Sequence, residues 1–233
     1  MDDQEKARIL SACDHTLLKQ TASWDDIRTL CQEAVKWRCA SVCIPPCYVR
    51  DGADYLRELK EEQGVPEDQV KACTVIGFPN GYSTTDSKVF EARDAIENGA
   101  DEIDMVINVG RVKAGNIGQT AEEIRQVKEA AGDRILKVIV ETCFLTDEEK
   151  KQMCHAVMDG GADFIKTSTG FATGGATFGD IRLMAGEIQG RIGIKAAGGI
   201  SSFEDAARFM ELGATRLGTS RLVKLAEAEE KKR

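Results

Sequence analysis

The chain has 233 residues, 42% of them hydrophobic and 30% charged, which is typical of a folded globular protein and excludes a disordered chain. Its 31 basic and 39 acidic residues give a formal net charge of −8, which argues against nucleic acids and anionic membranes as main partners. No apolar run approaches the roughly 20 residues of a membrane span, so we expect no membrane insertion.

The first residues, Met1 to Lys6, are hydrophilic and lack the apolar segment of a secretory signal, so we expect a cytoplasmic protein. The cysteines, eight in number, are then expected to be reduced thiols. Cys39 and Cys43 fall in one strand-like stretch, where about 13 Å would separate them, too far to share one metal ion. We therefore predict buried apolar cysteines and no metal site.

Short apolar runs alternate with amphipathic stretches along the whole chain, which is typical of βα units around a parallel sheet. The predicted strands cover Leu10–Cys13, Ala40–Ile44, Lys71–Phe78, Glu102–Asn108, Ile135–Thr142, Phe164–Thr167, Gly193–Ala196 and Arg216–Gly218. The predicted helices cover Trp24–Trp37, Arg50–Glu62, Asp86–Asn98, Thr120–Ala131, Asp147–Asp159, Phe178–Gln189, Phe203–Leu212 and a last segment from about Arg221. This alternation predicts a single-domain (β/α)8 barrel spanning residues 1–233. A doubly wound open sheet is the alternative, although no Gly-x-Gly-x-x-Gly motif follows an early strand.

Four of the predicted strands contain a charged residue, although parallel strands are normally apolar on both faces. These residues are Asp104, Lys137, Lys166 and Lys195, and they lie on four successive strands. Because side chains alternate along a strand, the apolar set that includes Ile103 should face the helices and the charged set the barrel interior. A buried charge is costly unless it is paired. One such residue could be a structural ion pair, but four together indicate an active site.

Lysine attacks carbonyl groups as the neutral amine, and both burial and a neighbouring cation lower the pKa of a lysine. Lys166 and Lys195 lie on adjacent predicted strands and could supply both effects. The pattern therefore predicts a lysine at the barrel mouth that forms a Schiff base with a carbonyl substrate. Asp104 could relay protons to it through water.

Two glycine-containing loops follow the seventh and eighth predicted strands, where barrels often bind phosphate. The first runs from Gly198 through Gly199 to Ser201, and the second runs from Gly218 to Arg221 and leads directly into a helix. Backbone N–H groups at a helix N-terminus favour anions. Each loop alone could be a simple tight turn, but their joint placement favours a phosphate site.

Several longer sequence phrases accompany these residues. They are Asp14–Thr16, Ala40–Cys43, Thr74–Pro79, Asp101–Asn108, Lys137–Thr142, Ala162–Gly170 and Lys195–Ile200. In these phrases and their order the chain resembles the deoxyribose-phosphate aldolases, a class I aldolase family, from about residue 9 to residue 221. Together, the phrases Phe-Ile-Lys-Thr-Ser-Thr-Gly and Asp-Glu-Ile-Asp are specific for this family. The phrase Lys-Ala-Ala-Gly-Gly alone would be weak evidence for it.

The resemblance implies a role for each matching residue. Lys166 takes the Schiff-base position, Lys195 that of a second lysine that activates the first and assists proton transfer, and Asp104 that of the proton relay. The residues at the positions that hold substrate are Gly170, Gly198, Gly199, Gly218 and Ser220 for the phosphate, and Asp14 and Thr16 near the substrate hydroxyls.

The resemblance further implies reversible cleavage of 2-deoxy-D-ribose 5-phosphate to acetaldehyde and D-glyceraldehyde 3-phosphate, without a metal or an organic cofactor. It also implies a homodimer. A transaldolase-like lysine enzyme and a non-catalytic phospho-sugar-binding barrel are the alternatives. Two positions depart from the family pattern: Arg221 stands where a serine is common, and Pro45-Pro46 replaces a single proline in the loop after the second strand.

Overall fold

Eight parallel strands close into a barrel in the computed structural model, which describes residues 1–231. Each strand pairs with the next one along the chain, and the last pairs with the first. The strands are β1 Cys13–Thr16, β2 Ser41–Ile44, β3 Lys71–Ile76, β4 Glu102–Val106, β5 Ile135–Ile139, β6 Phe164–Lys166, β7 Gly193–Ala197 and β8 Arg216–Thr219. The predicted (β/α)8 barrel is therefore confirmed. Of the predicted domain limits, residue 233 lies outside the described residues.

A helix follows every strand before the next strand begins or the described chain ends. Two further helices, α1 and α5, stand outside this alternation. The helices are α1 Asp3–Ser11, α2 Trp24–Lys36, α3 Val49–Glu62, α4 Thr85–Glu97, α5 Val109–Lys113, α6 Ile117–Ala131, α7 Asp147–Asp159, α8 Phe178–Ile188, α9 Phe203–Glu211 and α10 Arg221–Glu230. Within residues 1–231, no helix combines the length and the apolar character that crossing a membrane requires.

The strand register brings the charged residues of the sheet side by side. Asp104 on β4 pairs with Lys137 on β5, and Lys166 on β6 pairs with Lys195 on β7. The alternate residues of β4, such as Ile103, are fully buried in the apolar core that the barrel shares with its helices. The period-two interpretation of the strands is therefore confirmed.

The first strand begins later than the sequence predicts. Leu10 is not in a strand but in α1, which Asp2 caps by accepting a hydrogen bond from the Glu5 amide. Ile9 and Leu10 form the buried side of this helix. In the sequence, this apolar pair resembles the start of a short buried strand. The prediction of a strand over Leu10–Cys13 is wrong except at Cys13.

Three predicted strands extend two or three residues too far at their carboxyl ends, and the prediction for β6 exceeds the strand by Thr167 alone. The chain turns sharply after β3 and β5, where Gly77 and Glu141 have φ values of 57° and 53°. After β4, Asn108 caps α5 by accepting a hydrogen bond from the Arg111 amide. Apolar residues continue past β4 and β5 because the first residues of the loops, Ile107 and Val140, are fully buried, and past β3 the side chain of Phe78 is half-buried.

Candidate active site

Asp104 lies at the centre of the barrel and binds three lysines. Its Oδ2 atom accepts hydrogen bonds from Lys166 Nζ at 2.8 Å and from Lys195 Nζ at 2.7 Å. Its Oδ1 atom accepts one from Lys137 Nζ at 2.8 Å. The three lysines come from consecutive strands, and the closed barrel directs all of them at the same carboxylate.

A second layer of charges lies against the first. Lys195 also pairs with Asp14, and Lys137 Nζ lies 2.6 Å from a Glu102 oxygen. Arg216 donates to Asp14 at 2.6 Å and to both oxygens of Glu102 at 2.9 and 3.1 Å. We call the whole set the inner cluster: Asp14, Glu102, Asp104, Lys137, Lys166, Lys195 and Arg216.

Asp104, Lys195 and Lys137 are held in the ionised form by their charged neighbours. Burial disfavours the Asp104 carboxylate, but Lys137, Lys166 and Lys195 outweigh it and keep the pKa of Asp104 well below its usual range. Burial also disfavours the ammonium of Lys195, but Asp104 and Asp14 keep its pKa above the usual value. The pKa of Lys137 is raised in the same way, chiefly by Asp104 against the effect of burial.

Two buried thiols complete the interior beside Asp104. Cys73 Sγ lies 3.3 Å from an Asp104 oxygen, and the Cys43, Cys73 and Asp104 ligand atoms lie within 4.8 Å of one another. A metal ion there would displace lysines from Asp104 and meet several positive charges. Burial raises the pKa of the Cys73 thiol, which further disfavours the thiolate that a metal needs.

A cavity of about 810 Å³ opens at the carboxyl ends of the strands, where active sites of such barrels lie. Lys166 lines its floor, whereas Asp104 and Lys195 are fully buried beneath it. Six of the seven residues predicted to bind substrate also line it: Thr16, Gly170, Gly198, Gly199, Gly218 and Ser220. Of the inner-cluster lysines, all of which lie in the described part of the chain, Lys166 alone lines this cavity. The same cavity is lined by the predicted phosphate loops.

Asp14 is the exception among the predicted substrate-binding residues. It does not line the cavity, because its carboxylate is fully buried and pairs with Lys195 and Arg216. Asp14 and Thr16 share one face of β1, and Thr16, nearer the mouth, reaches the cavity, as does the intervening His15. The structure therefore places Asp14 beneath the cavity, as a partner of Lys195.

The two glycine loops present backbone to the cavity. Gly198 and Gly199 have φ values of 74° and 76°, a left-handed conformation that glycine adopts without strain. A side chain at Gly175 would lie 2.6 Å from the Gly198 backbone, so the neighbouring loop packs directly against this turn. Ser220 stands at the N-terminus of α10. The loops leave room and N–H groups for an anion.

Three residues in the cavity or beside it were not predicted from the sequence. Lys19 and Lys224 line it, whereas Arg221, the basic residue singled out by its departure from the family pattern, is exposed and does not. Lys224 follows Ser220 by four residues, so helical spacing could have indicated it. Glu141 is the third: its buried carboxylate accepts a hydrogen bond from the Thr169 amide at 3.1 Å and anchors the loop above Lys166.

Comparison with known proteins agrees with this geometry. The family model described as DeoC/LacD family aldolase matches residues 8–224. The deoxyribose-phosphate aldolase of Clostridioides difficile (strain 630) is 52% identical over 222 residues, which are 95% of this chain and 97% of that protein. The deoxyribose-phosphate aldolase of Streptococcus pyogenes serotype M28 (strain MGAS6180) is 55% identical over 221 residues, which are 95% of each protein.

A solved structure shows the same fold along the whole chain. It is the tetrameric deoxyribose phosphate aldolase from Aeropyrum pernix, which is 28% identical, has a TM-score of 0.81 and is matched over 100% of both chains. The match to the family model and the identities of the curated relatives extend over nearly all of the sequence. The chain belongs to the DeoC/LacD aldolase family.

Proposed function

We propose that this protein is a class I aldolase that reversibly cleaves 2-deoxy-D-ribose 5-phosphate to acetaldehyde and D-glyceraldehyde 3-phosphate. The observation that carries the proposal is the Lys166 amine, which lies on the cavity floor and contacts a carboxylate shared with Lys195. The names of the curated relatives, all deoxyribose-phosphate aldolases at 52–55% identity, support the choice of substrate.

The reaction begins when the neutral Lys166 amine attacks the C1 aldehyde of the open-chain sugar. A carbinolamine forms, and loss of its hydroxyl as water gives the protonated imine. Lys195 and Asp104 lie within hydrogen-bonding distance of each other next to Lys166 and are placed to move the protons of these steps.

Carbon–carbon cleavage follows from the iminium ion. The C3 hydroxyl loses its proton through a water molecule to the Asp104–Lys195 pair, and C3 becomes the aldehyde of glyceraldehyde 3-phosphate. The electrons of the C2–C3 bond move to C2 and form an enamine, with the iminium nitrogen as their acceptor. Protonation at C2 and hydrolysis then release acetaldehyde and restore Lys166. Because the iminium accepts the electrons, no step requires a metal or an organic cofactor.

The phosphate group is expected at the opposite side of the cavity from β4. Gly170, Gly198, Gly199, Gly218 and Ser220 supply backbone N–H groups and one hydroxyl there. Lys224 lines the same cavity and adds a positive charge. Binding energy at this remote group positions the aldehyde over Lys166.

Two measurements test the proposal together. Turnover of deoxyribose 5-phosphate, coupled to detection of triose phosphate, should be observed, and borohydride with substrate should trap an adduct on the Lys166 peptide. Trapping without carbon–carbon cleavage of this sugar would indicate another lysine aldolase, such as a transaldolase-like enzyme. Binding of the sugar phosphate with neither trapping nor turnover would indicate a non-catalytic barrel.

We also propose a homodimer that acts in the cytoplasm. The Aeropyrum pernix relative is described as a tetramer. Self-association of that barrel supports self-association here. Light scattering tests the proposal directly, because each chain has a mass of 25.4 kDa and a dimer has twice that mass.

A further inference from the structure

We propose that Glu102 and Arg216 are positioning residues that set the charge state of the Lys166 amine from the base of the inner cluster. Neither residue lines the cavity that holds Lys166, so neither can touch a substrate there. Their action is through charge. The inference rests on the proposed function, because it requires that Lys166 forms the imine.

The inner cluster contains one positive charge more than it can pair. Its four basic groups face three carboxylates, so the fully ionised cluster has a net charge of one. A guanidinium does not lose its proton in proteins, so Arg216 cannot release this surplus. The lysines are therefore the basic groups of the cluster that can release a proton.

The contacts single out Lys166 among these lysines. Lys195 pairs with both Asp14 and Asp104, and Lys137 has Glu102 and Asp104 within 2.8 Å. Lys166 contacts Asp104 alone. Loss of a proton from Lys166 therefore sacrifices the fewest ion pairs, and the neutral amine that results faces the cavity.

Neutralising Glu102 and neutralising Arg216 change the net positive charge of the inner cluster in opposite directions. Glu102 binds Lys137 and both nitrogens of the Arg216 fork, two residues before Asp104 on β4. Removal of its negative charge leaves two surplus positive charges, which favours release of a proton from Lys166. Removal of the Arg216 charge leaves no surplus, which favours the protonated amine.

Other titratable groups also lie around Lys166. The thiols of Cys43 and Cys73 face Asp104 from β2 and β3. At the mouth, the cavity carries the charged side chains of Lys19, Asp26, Glu33 and Lys224, and the ring of His15 bonds to Glu33 at 2.6 Å. All of these groups are retained in every variant described below, so the comparison isolates the charge at the base.

The experiment measures the pH dependence of borohydride trapping with deoxyribose 5-phosphate in the full chain. Glu102→Gln should lower the pH of half-maximal trapping by about one unit, and Arg216→Met should raise it by about one unit. The double variant Glu102→Gln/Arg216→Met restores the wild-type net charge and should return the midpoint to within about 0.3 units of wild type.

The matched control is Glu123→Gln. Glu123 is also a buried glutamate bonded to one lysine and one arginine, Lys88 at 2.8 Å and Arg111 at 3.3 Å, but it lies outside the barrel. This substitution should leave the midpoint unchanged. Arg216→Lys keeps the charge and should also retain the wild-type midpoint.

Removal of one partner from a buried pair can unfold a protein. Circular dichroism at each pH therefore accompanies the trapping, and Arg216→Gln, which can still hydrogen-bond to Asp14 and Glu102, provides a second neutral variant. Midpoints that stay at the wild-type value in Glu102→Gln and in either neutral Arg216 variant, or that move in the same direction, would overturn the inference. Wild-type protein that traps no substrate at any pH would overturn the proposed function instead.

Discussion

Among residues 1–231, lysine is buried beside carboxylate in two places, and one of these reaches the cavity at the barrel mouth. Inside the barrel lies the inner cluster around Asp104. Outside it lies an outer cluster of Lys88, Arg111 and Glu123, packed between α4, α6 and β4. Lys88 is fully buried and donates hydrogen bonds to Glu123 and, at 2.8 Å, to the Val106 carbonyl oxygen.

The outer cluster contains a lysine with a lowered pKa but without access to a cavity at the mouth. Burial lowers the pKa of Lys88 despite the opposing charge of Glu123, whereas the pKa values of Lys137 and Lys195 are raised by their carboxylates. Lys88 nevertheless does not line the cavity at the barrel mouth. Lys166 differs because its amine reaches a cavity large enough for a sugar phosphate.

The strongest test of this difference removes the accessible amine. Lys166→Ala should abolish imine trapping and lower kcat by on the order of 10³-fold or more, because no other lysine of the cluster reaches the substrate. The fold should persist, since Asp104 keeps Lys137 and Lys195 as partners. Peptide mapping after borohydride treatment is the direct measurement. A folded variant with near wild-type turnover would refute the assignment of Lys166.

The second test keeps the accessible amine and removes its charged neighbour. Lys195→Leu leaves no surplus positive charge in the inner cluster, so the alkaline rise of kcat/KM should move to higher pH by about one unit. Loss of proton transfer should lower kcat by about 10²-fold. Lys195→Arg keeps the charge, but a guanidinium does not release its proton in proteins, so this variant should retain more imine trapping than turnover. Wild-type trapping by Lys195→Leu at every pH would limit Lys195 to proton transfer or substrate contact.

The third test applies to the outer cluster and should affect stability alone. Glu123→Ala leaves Lys88 as an unpaired buried charge, and we expect a loss of about 3–5 kcal/mol in the free energy of unfolding. Denaturant titration measures this loss. Turnover per folded molecule should stay within about twofold of wild type, as should the pH of half-maximal trapping. A shifted midpoint would mean that the two clusters are coupled through β4.

The sequence predicts the inner cluster only in part, and the reason is geometric. Alternation along a strand identifies Asp104 and Lys137 as inward residues because this pattern is local. The Arg216–Glu102 pair joins residues 114 positions apart, and it forms only because β8 closes onto β1. The sequence does not predict the ion pairs of Asp14 for the same reason. Its partners, Lys195 and Arg216, lie on β7 and β8 and meet Asp14 only in the closed barrel.

The sequence does not indicate that Lys88, Arg111 and Glu123 form a buried cluster. Lys88 lies in a helical stretch, where a lysine is normally solvated, and its burial results from the close approach of α4 to Gly77. A side chain at Gly77 would lie 2.8 Å from Lys88 Cε. Contacts of this kind depend on the distance between a helix and the sheet, which a one-dimensional pattern does not contain.

The last test changes the cavity and leaves both clusters intact. Gly199 lines the cavity with φ 76°, and a side chain there would begin 3.2 Å from the Ala176 carbonyl oxygen, so Gly199→Leu should intrude on the phosphate loop. We expect KM for deoxyribose 5-phosphate to rise about tenfold and kcat to change little, because remote binding energy serves positioning. Cleavage of unphosphorylated deoxyribose should hardly change.

Gly190 provides the matched control for backbone strain. It has the same φ of 76°, has open space where a side chain would begin, and lies away from the mouth cavity. Gly190→Leu should therefore incur the strain of a left-handed leucine without changing KM for either sugar. Equal losses on both sugars in Gly199→Leu would mean that the substitution had damaged the barrel. A loss confined to the phosphorylated sugar would show that the cavity, which the outer cluster lacks, gives the inner cluster its substrate.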